Sequence, residues 1–150
     1  MDNISFSVNK GETIAFVGST GSGKSSIINV FMRFYEFQSG RVLLDGVDIR
    51  DYSQAELRKN IGLVLQEPFL YHGTIKSNIA MYQDLTDEEI KAAAEFVDAN
   101  HFIDKLPEGY EAPVSERGSS FSTGQRQLLA FARTVASQPK ILILMKRQQY

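Results

Sequence analysis

Residues Gly18-Ser19-Thr20-Gly21-Ser22-Gly23-Lys24-Ser25 satisfy the pattern G-x-x-x-x-G-K-[ST] at every fixed position. No other stretch constrains the fold as strongly. The glycines let the backbone wrap an anion, and a helix that follows aims free N–H groups and a positive dipole end at the same point. The pattern therefore needs a buried strand before it and a helix after it. Thr13 to Val17 is a short, nearly continuous apolar run, the mark of a strand covered on both faces of a parallel sheet. Lys24 to about Tyr35 reads as a helix with Ile27, Ile28, Phe31 and Phe34 on one side. Lys24 offers a positive charge to β- and γ-phosphates, and the Ser25 hydroxyl is a candidate Mg²⁺ ligand. The expected nucleotide-binding set is Gly18, Ser19, Thr20, Gly21, Ser22, Gly23, Lys24, Ser25 and Ser26. The motif does not separate ATP from GTP, or a hydrolase from a kinase.

The rest of the chain alternates strand and helix signals. Ile4, Phe6 and Val8 alternate with serines, which predicts a half-buried strand. Val42-Leu43-Leu44 followed by Asp45-Gly46 predicts a hairpin. Ser53–Glu56, Thr86–Glu89 and Ser122–Gln125 have capping-box spacing and should open helices, the second to about Val97 and the third to about Ala136. Ile61 to Leu65 and Lys140 to Leu144 read as further buried strands. This order predicts an α/β fold with a mainly parallel sheet.

Composition excludes several function classes. The 150 residues carry 16 Lys+Arg against 18 Asp+Glu, so no basic excess points to nucleic acid. Cysteine is absent, which removes disulfides, zinc-thiolate sites and cysteine nucleophiles. The apolar runs fall far short of the roughly 20 residues a membrane helix needs. The first ten residues show no apolar signal-peptide core.

Phe121-Ser122-Thr123-Gly124-Gln125-Arg126-Gln127 starts a helix on a serine and a glycine. With the phosphate loop upstream, it resembles the L-S-G-G-Q signature of ATP-binding cassette (ABC) transporter nucleotide-binding domains. Phe121 stands for the leucine and Thr123 for the first glycine, while Ser122, Gly124 and Gln125 are kept. Gln66-Glu67-Pro68-Phe69-Leu70-Tyr71 with Gly73-Thr74-Ile75 resembles the Q-loop of exporter-type members. Glu116-Arg117-Gly118 resembles the segment that touches coupling helices. The resemblance runs from Ile4 to Leu144. It implies a P-loop NTPase fold with a helical subdomain at roughly 74–135 carrying the signature. It implies ATP and Mg²⁺ as cofactors, with Ser25 and Gln66 toward the metal. A second nucleotide-binding domain, identical or different, is the expected partner. Each ATP would lie between one domain's phosphate loop and the other's Ser122, Thr123, Gly124 and Gln125, with the N–H groups of Gly124 and Gln125 facing the γ-phosphate. Transmembrane coupling helices would dock on 66–75 and 116–118. The chain would work at the cytoplasmic face of a membrane, moving drugs, lipids or peptides outward. A different P-loop NTPase or nucleotide kinase is the alternative.

Departures from the pattern bear on activity. Ile141-Leu142-Ile143-Leu144 matches the apolar run of a Walker B motif, yet Met145 and Lys146 follow where the family has an Mg²⁺-holding Asp and a general-base Glu. A thioether is a poor Mg²⁺ ligand, and an ammonium does not take a proton from water. The D-loop, the switch histidine and the adenine-stacking aromatic residue are missing, so the chain is expected to be incomplete at both ends. His72 and His101 precede the switch position and read as surface or loop residues. Dropping one base from GAT GAA GCG ACA GCA, a coding of Asp-Glu-Ala-Thr-Ala, yields Met-Lys-Arg-Gln, as at 145–148. A frameshifted, non-functional fragment is thus a further alternative. Weak, Lys24-dependent ATP binding, no hydrolysis and poor folding of the isolated chain are the expectations.

Overall fold

Short-range capping decides where most helices of this chain begin, and long-range pairing decides which apolar runs become strands. The computed structural model describes residues 3–146, in two units, Met1–Leu57 and Arg58–Tyr150.

In the first unit, α1 (Lys24–Phe31) follows the glycine-rich loop and ends in the buried Met32. It is shorter than expected, because the chain turns at Arg33, whose φ is 52°. Arg33 Nη1 donates to the carbonyl of Tyr52 at 2.9 Å. The expected hairpin forms from β1 (Leu43–Leu44) and β2 (Val47–Asp48), with Leu44 opposite Val47. Asp45 and Gly46 make the turn at φ 51° and 80°, the left-handed pair that matches strand twist. A 3₁₀ turn, Ile49–Asp51, is capped by the Asp48 carboxylate, which accepts from the Arg50 N–H at 3.0 Å. Helix α2 (Gln54–Lys59) opens on the expected Ser53–Glu56 box: Glu56 N–H donates to Ser53 Oγ at 3.2 Å, and Ser53 N–H to Glu56 Oε2 at 3.0 Å.

Two expected strands are absent. Neither Ile4 to Val8 nor Thr13 to Val17 forms a ladder, and their apolar side chains are exposed, Val17 by 76%. The two segments meet through an edge-to-face contact of Phe6 and Phe16, 5.2 Å between ring centres, across a turn in which Glu12 N–H donates to the Asn9 carbonyl. A buried strand needs a hydrogen-bonded neighbour for its N–H and C=O groups. The described residues supply none, so apolar composition by itself does not make a strand here.

The second unit starts within α2, at Arg58, and its first strand is β3 (Ile61–Val64). It continues through β4 (Gly73–Thr74), α3 (Ile75–Ala80), α4 (Asp87–Phe96), α5 (Asn100–Ile103), β5 (Pro113–Val114), α6 (Thr123–Ala136) and β6 (Ile141–Leu144). β3 and β6 pair in parallel, Ile61 with Ile141 through Val64 with Leu144. β4 and β5 pair antiparallel. Capping boxes open α3 at Thr74, α4 at Thr86 and α6 at Ser122. Ile75, Ile79, Ile90, Ile103 and Leu129 are fully or almost fully buried in one core, each contributing about 1.5–3 kcal/mol. Gly62 lets β3 lie close against α6 and Pro139: a Cβ there would be 2.5 Å from Thr134 Cγ2 and 2.8 Å from Pro139 Cγ.

Candidate functional site

The glycine-rich loop is built around one cation. Lys24 Nζ donates to the carbonyl of Gly18, to the carbonyl of Ser19 at 2.8 Å and to Ser22 Oγ at 3.2 Å. Ser22 N–H donates to the Ser19 carbonyl at 3.2 Å, closing the turn. Gly23 is the N-cap of α1 at φ 93°, a conformation that strains any residue with a Cβ, and no side chain caps the helix. The first-turn N–H groups of α1 have no intrahelical partner by construction. Thr20, Ser25 and Ser26 are exposed beside them, and the first turn holds no acidic residue. An uncapped helix start, a lysine ammonium and a first turn without a carboxylate suit an anion with several oxygens. Phosphates fit this donor set. For a divalent cation the described residues hold no cluster of three acidic or histidine side chains. Ser25 could hold such an ion only together with oxygens brought by a nucleotide.

In the second unit, the parallel pairing of β3 and β6 sends both chains out at the same edge. That edge, at the carboxyl ends of the strands, is where α/β folds take ligands. Gln66 leaves from β3 and Met145 from β6, and Met145 N–H donates to the Val64 carbonyl at 3.0 Å. The structure thus brings Gln66 and positions 145 and 146 to one edge. Met145 is half-buried and Lys146 exposed, and neither side chain is a carboxylate.

The signature segment is a well-formed helix start. Ser122 Oγ accepts from Gln125 N–H at 3.1 Å, and Gln125 Oε1 accepts from Ser122 N–H at 3.0 Å. The Gln125 N–H is therefore committed to the cap. The open donors of this turn are the N–H groups of Thr123 and Gly124, and the Ser122 hydroxyl keeps its own hydrogen to give. That modifies the expectation for Gln125. Phe121, in place of leucine, is buried and meets Phe102 edge to face at 6.1 Å. Thr123 Oγ1 accepts from Arg126 Nη2 at 3.2 Å. A Cβ on Gly124 would meet only Ser122 Oγ, at 4.0 Å. The chain's own packing does not require glycine there.

Arg117, in the 3₁₀ turn Glu116–Gly118, is exposed at φ 61°, a conformation that costs an L-residue about 1–2 kcal/mol. His72 and His101 are both exposed, and His101 Nε2 lies 3.9 Å from Asp98 Oδ1. Sequence reasoning passed over Asn78 and Arg133, which hold the Gln66 loop. Asn78 is 1% exposed, and a polar residue amid apolar helix positions was the available signal.

A family model described as ABC transporter matches residues 1–144. The chain is 85% identical over 144 residues to the putative ABC transporter ATP-binding protein exp8 of Streptococcus pneumoniae serotype 4, covering 96% of this chain and 25% of that protein. It is 52% identical over 145 residues to the probable multidrug resistance ABC transporter ATP-binding/permease protein YheH of Bacillus subtilis, covering 22% of it. A bacterial Atm1-family ABC exporter, solved with ATP bound, superposes with a TM-score of 0.79 at 41% identity over 84% of this chain and 22% of that one. The chain thus spans about a quarter of the length of these relatives.

Proposed function

The chain belongs to the ABC transporter family and corresponds to the ATP-binding region of its exporters, and from that membership we propose that it binds ATP through Gly18 to Ser26 without hydrolysing it. The observation that carries the binding is the uncapped start of α1 beside the Lys24 ammonium. Binding is weak for two reasons. Lys24 is already satisfied by the loop's own carbonyls, so phosphate oxygens must displace them. The position that would offer Mg²⁺ a carboxylate carries Met145. Hydrolysis is lost because Lys146 stands where a base would take the proton of water. A positioned base typically contributes about 10²–10⁴-fold.

The larger assembly belongs to the same proposal. Residues at roughly 74–135 act as a helical subdomain. Ser122 to Gln125 face the nucleotide of a second nucleotide-binding domain, and Gly124 supports this, since its open space suits close approach from outside the chain. Segments 66–75 and 116–118 meet transmembrane coupling helices, with the strained, exposed Arg117 as the supporting feature. The site of work is the cytoplasmic face of a membrane. Among the described residues no helix is long and apolar enough to cross one. Met145 begins where the family match stops, at Leu144, which favours a frameshift as the origin of the tail. Reading the coding DNA decides that: Asp, Glu and a switch histidine in the adjacent frame support it, and their absence there refutes it.

Titration with fluorescent ATP tests the binding. The native chain should saturate weakly and Lys24→Ala should not bind. Equal affinities would remove Lys24 from the site. Met145→Asp should tighten Mg²⁺-dependent binding without restoring turnover.

A further inference from the structure

The loop that carries Gln66 is fastened to the signature helix by two side chains to which neither the motifs nor the comparisons assign a role. Asn78, on α3, is buried, and all its amide groups are paired. Its Oδ1 accepts from Tyr71 N–H at 2.8 Å and from Arg133 Nη2 at 3.0 Å. Its Nδ2 donates to the carbonyls of Tyr71 at 2.8 Å and Thr74 at 3.0 Å. Arg133, on α6, adds Nε to the Asn78 carbonyl at 2.8 Å and Nη1 to the Phe69 carbonyl at 3.0 Å. Its guanidinium lies over the Tyr71 ring, 5.4 Å from the centre. Nearer the start of α6, Gln127 Nε2 reaches the Gln66 carbonyl at 3.2 Å. Leu70, between these ties, is fully buried, and the Gly118 backbone lies so close that a Cβ would come within 2.7 Å of Leu70 Cδ1.

Burying an amide and a guanidinium costs free energy unless every polar atom is matched. Burial indeed holds the Arg133 guanidinium below its ordinary pKa. An apolar pair would fill the same volume without that cost. What an apolar pair cannot do is fix the carbonyls of Phe69 and Tyr71 in one direction, which a fully paired polar network does. The guanidinium serves here as a planar fork, a shape lysine lacks.

We propose that Arg133 and Asn78 form a latch that makes the Gln66 loop and the signature helix α6 one rigid piece, with Arg133 a positioning residue for Gln66. A displacement of Gln66 then carries the Ser122 end of α6 with it. The latch stands on geometry alone; its use by nucleotide rests on the ATP-binding reading.

Amide hydrogen exchange, resolved by residue in the full chain, tests the latch without any substitution. One rigid piece opens as a unit, so Tyr71 N–H should share the protection of Leu129 N–H and its dependence on denaturant. Exchange at Tyr71 that is orders of magnitude faster than at Leu129 would overturn the proposal. In Arg133→Lys the ratio of Tyr71 to Leu129 protection should fall about tenfold or more. A drop shared equally by both amides would mark Arg133 as merely structural and also overturn it. With magnesium-ATP added, the amides of Gln66, Glu67, Phe69, Leu70 and Tyr71 and those at 123–125 should shift together in the native chain, and only the first group in Arg133→Lys. If amides at 24–26 do not respond to magnesium-ATP, the ATP-binding reading fails, while the ligand-free exchange still decides the latch.

Discussion

Asp48 shows how much one neighbouring residue sets a group's chemistry. Arg50 donates to its carboxylate through Nε at 2.9 Å, Nη2 at 2.7 Å and its backbone N–H at 3.0 Å. These side-chain hydrogen bonds first, then the backbone one, hold the Asp48 pKa at about 2, against an ordinary 3.8. A depressed carboxylate stabilises the fold above its unfolded pKa and loses that contribution as pH falls through the folded value. The window is therefore about 4 down to 2. Carbon-detected NMR titration should place the Asp48 midpoint near 2, and Arg50→Ala should return it toward 3.8. At the same scale, the glycine-rich loop was legible because all its candidate atoms lie within one short window. Arg133 was not, because its partners Asn78 and Phe69 lie 55 and 64 residues away, and Asn78, though only seven and four residues from Tyr71 and Thr74, fits no spacing rule.

At the scale of elements, local rules worked where the stabilising contact is local. The boxes at Ser53, Thr86 and Ser122 all formed, since cap and N3 residue meet within a turn. Thr13 to Val17 failed because strand formation needs a distant neighbour that composition does not reveal. Two helix positions and one strand position probe this. Ser122→Ala should cost about 0.5–2 kcal/mol in urea unfolding, from the lost cap. Gly124→Ala should be neutral or stabilise by up to about 1 kcal/mol, because its Cβ enters open space. If Gly124→Ala destabilises instead, the inference that its space serves an outside partner is wrong. Gly62→Ala should destabilise by about 1–3 kcal/mol, since Thr134 and Pro139 leave no room for a methyl group.

At the scale of the whole molecule, burial is uneven. Among the described buried apolar residues only Met32, Ile49 and Leu57 belong to the first unit, while the second holds a continuous core from Leu70 to Ala136. Calorimetry should show the first unit melting below the second, in two steps, and the exposed Ile4, Phe6, Ile14, Phe16 and Val17 should promote association on heating. A single sharp transition of a monomer would contradict that. The family and the candidate site residues were legible from the glycine-rich loop and the signature, and the central proposal is that one sequence carries an intact Lys24 loop but Met145 and Lys146 in place of two carboxylates. Incubation with γ-labelled ATP and Mg²⁺, then rapid recovery of bound nucleotide, tests that directly. The native chain should yield intact ATP and Lys24→Ala none. Bound ADP with released phosphate, formed by the native chain and abolished in Lys24→Ala, would contradict it.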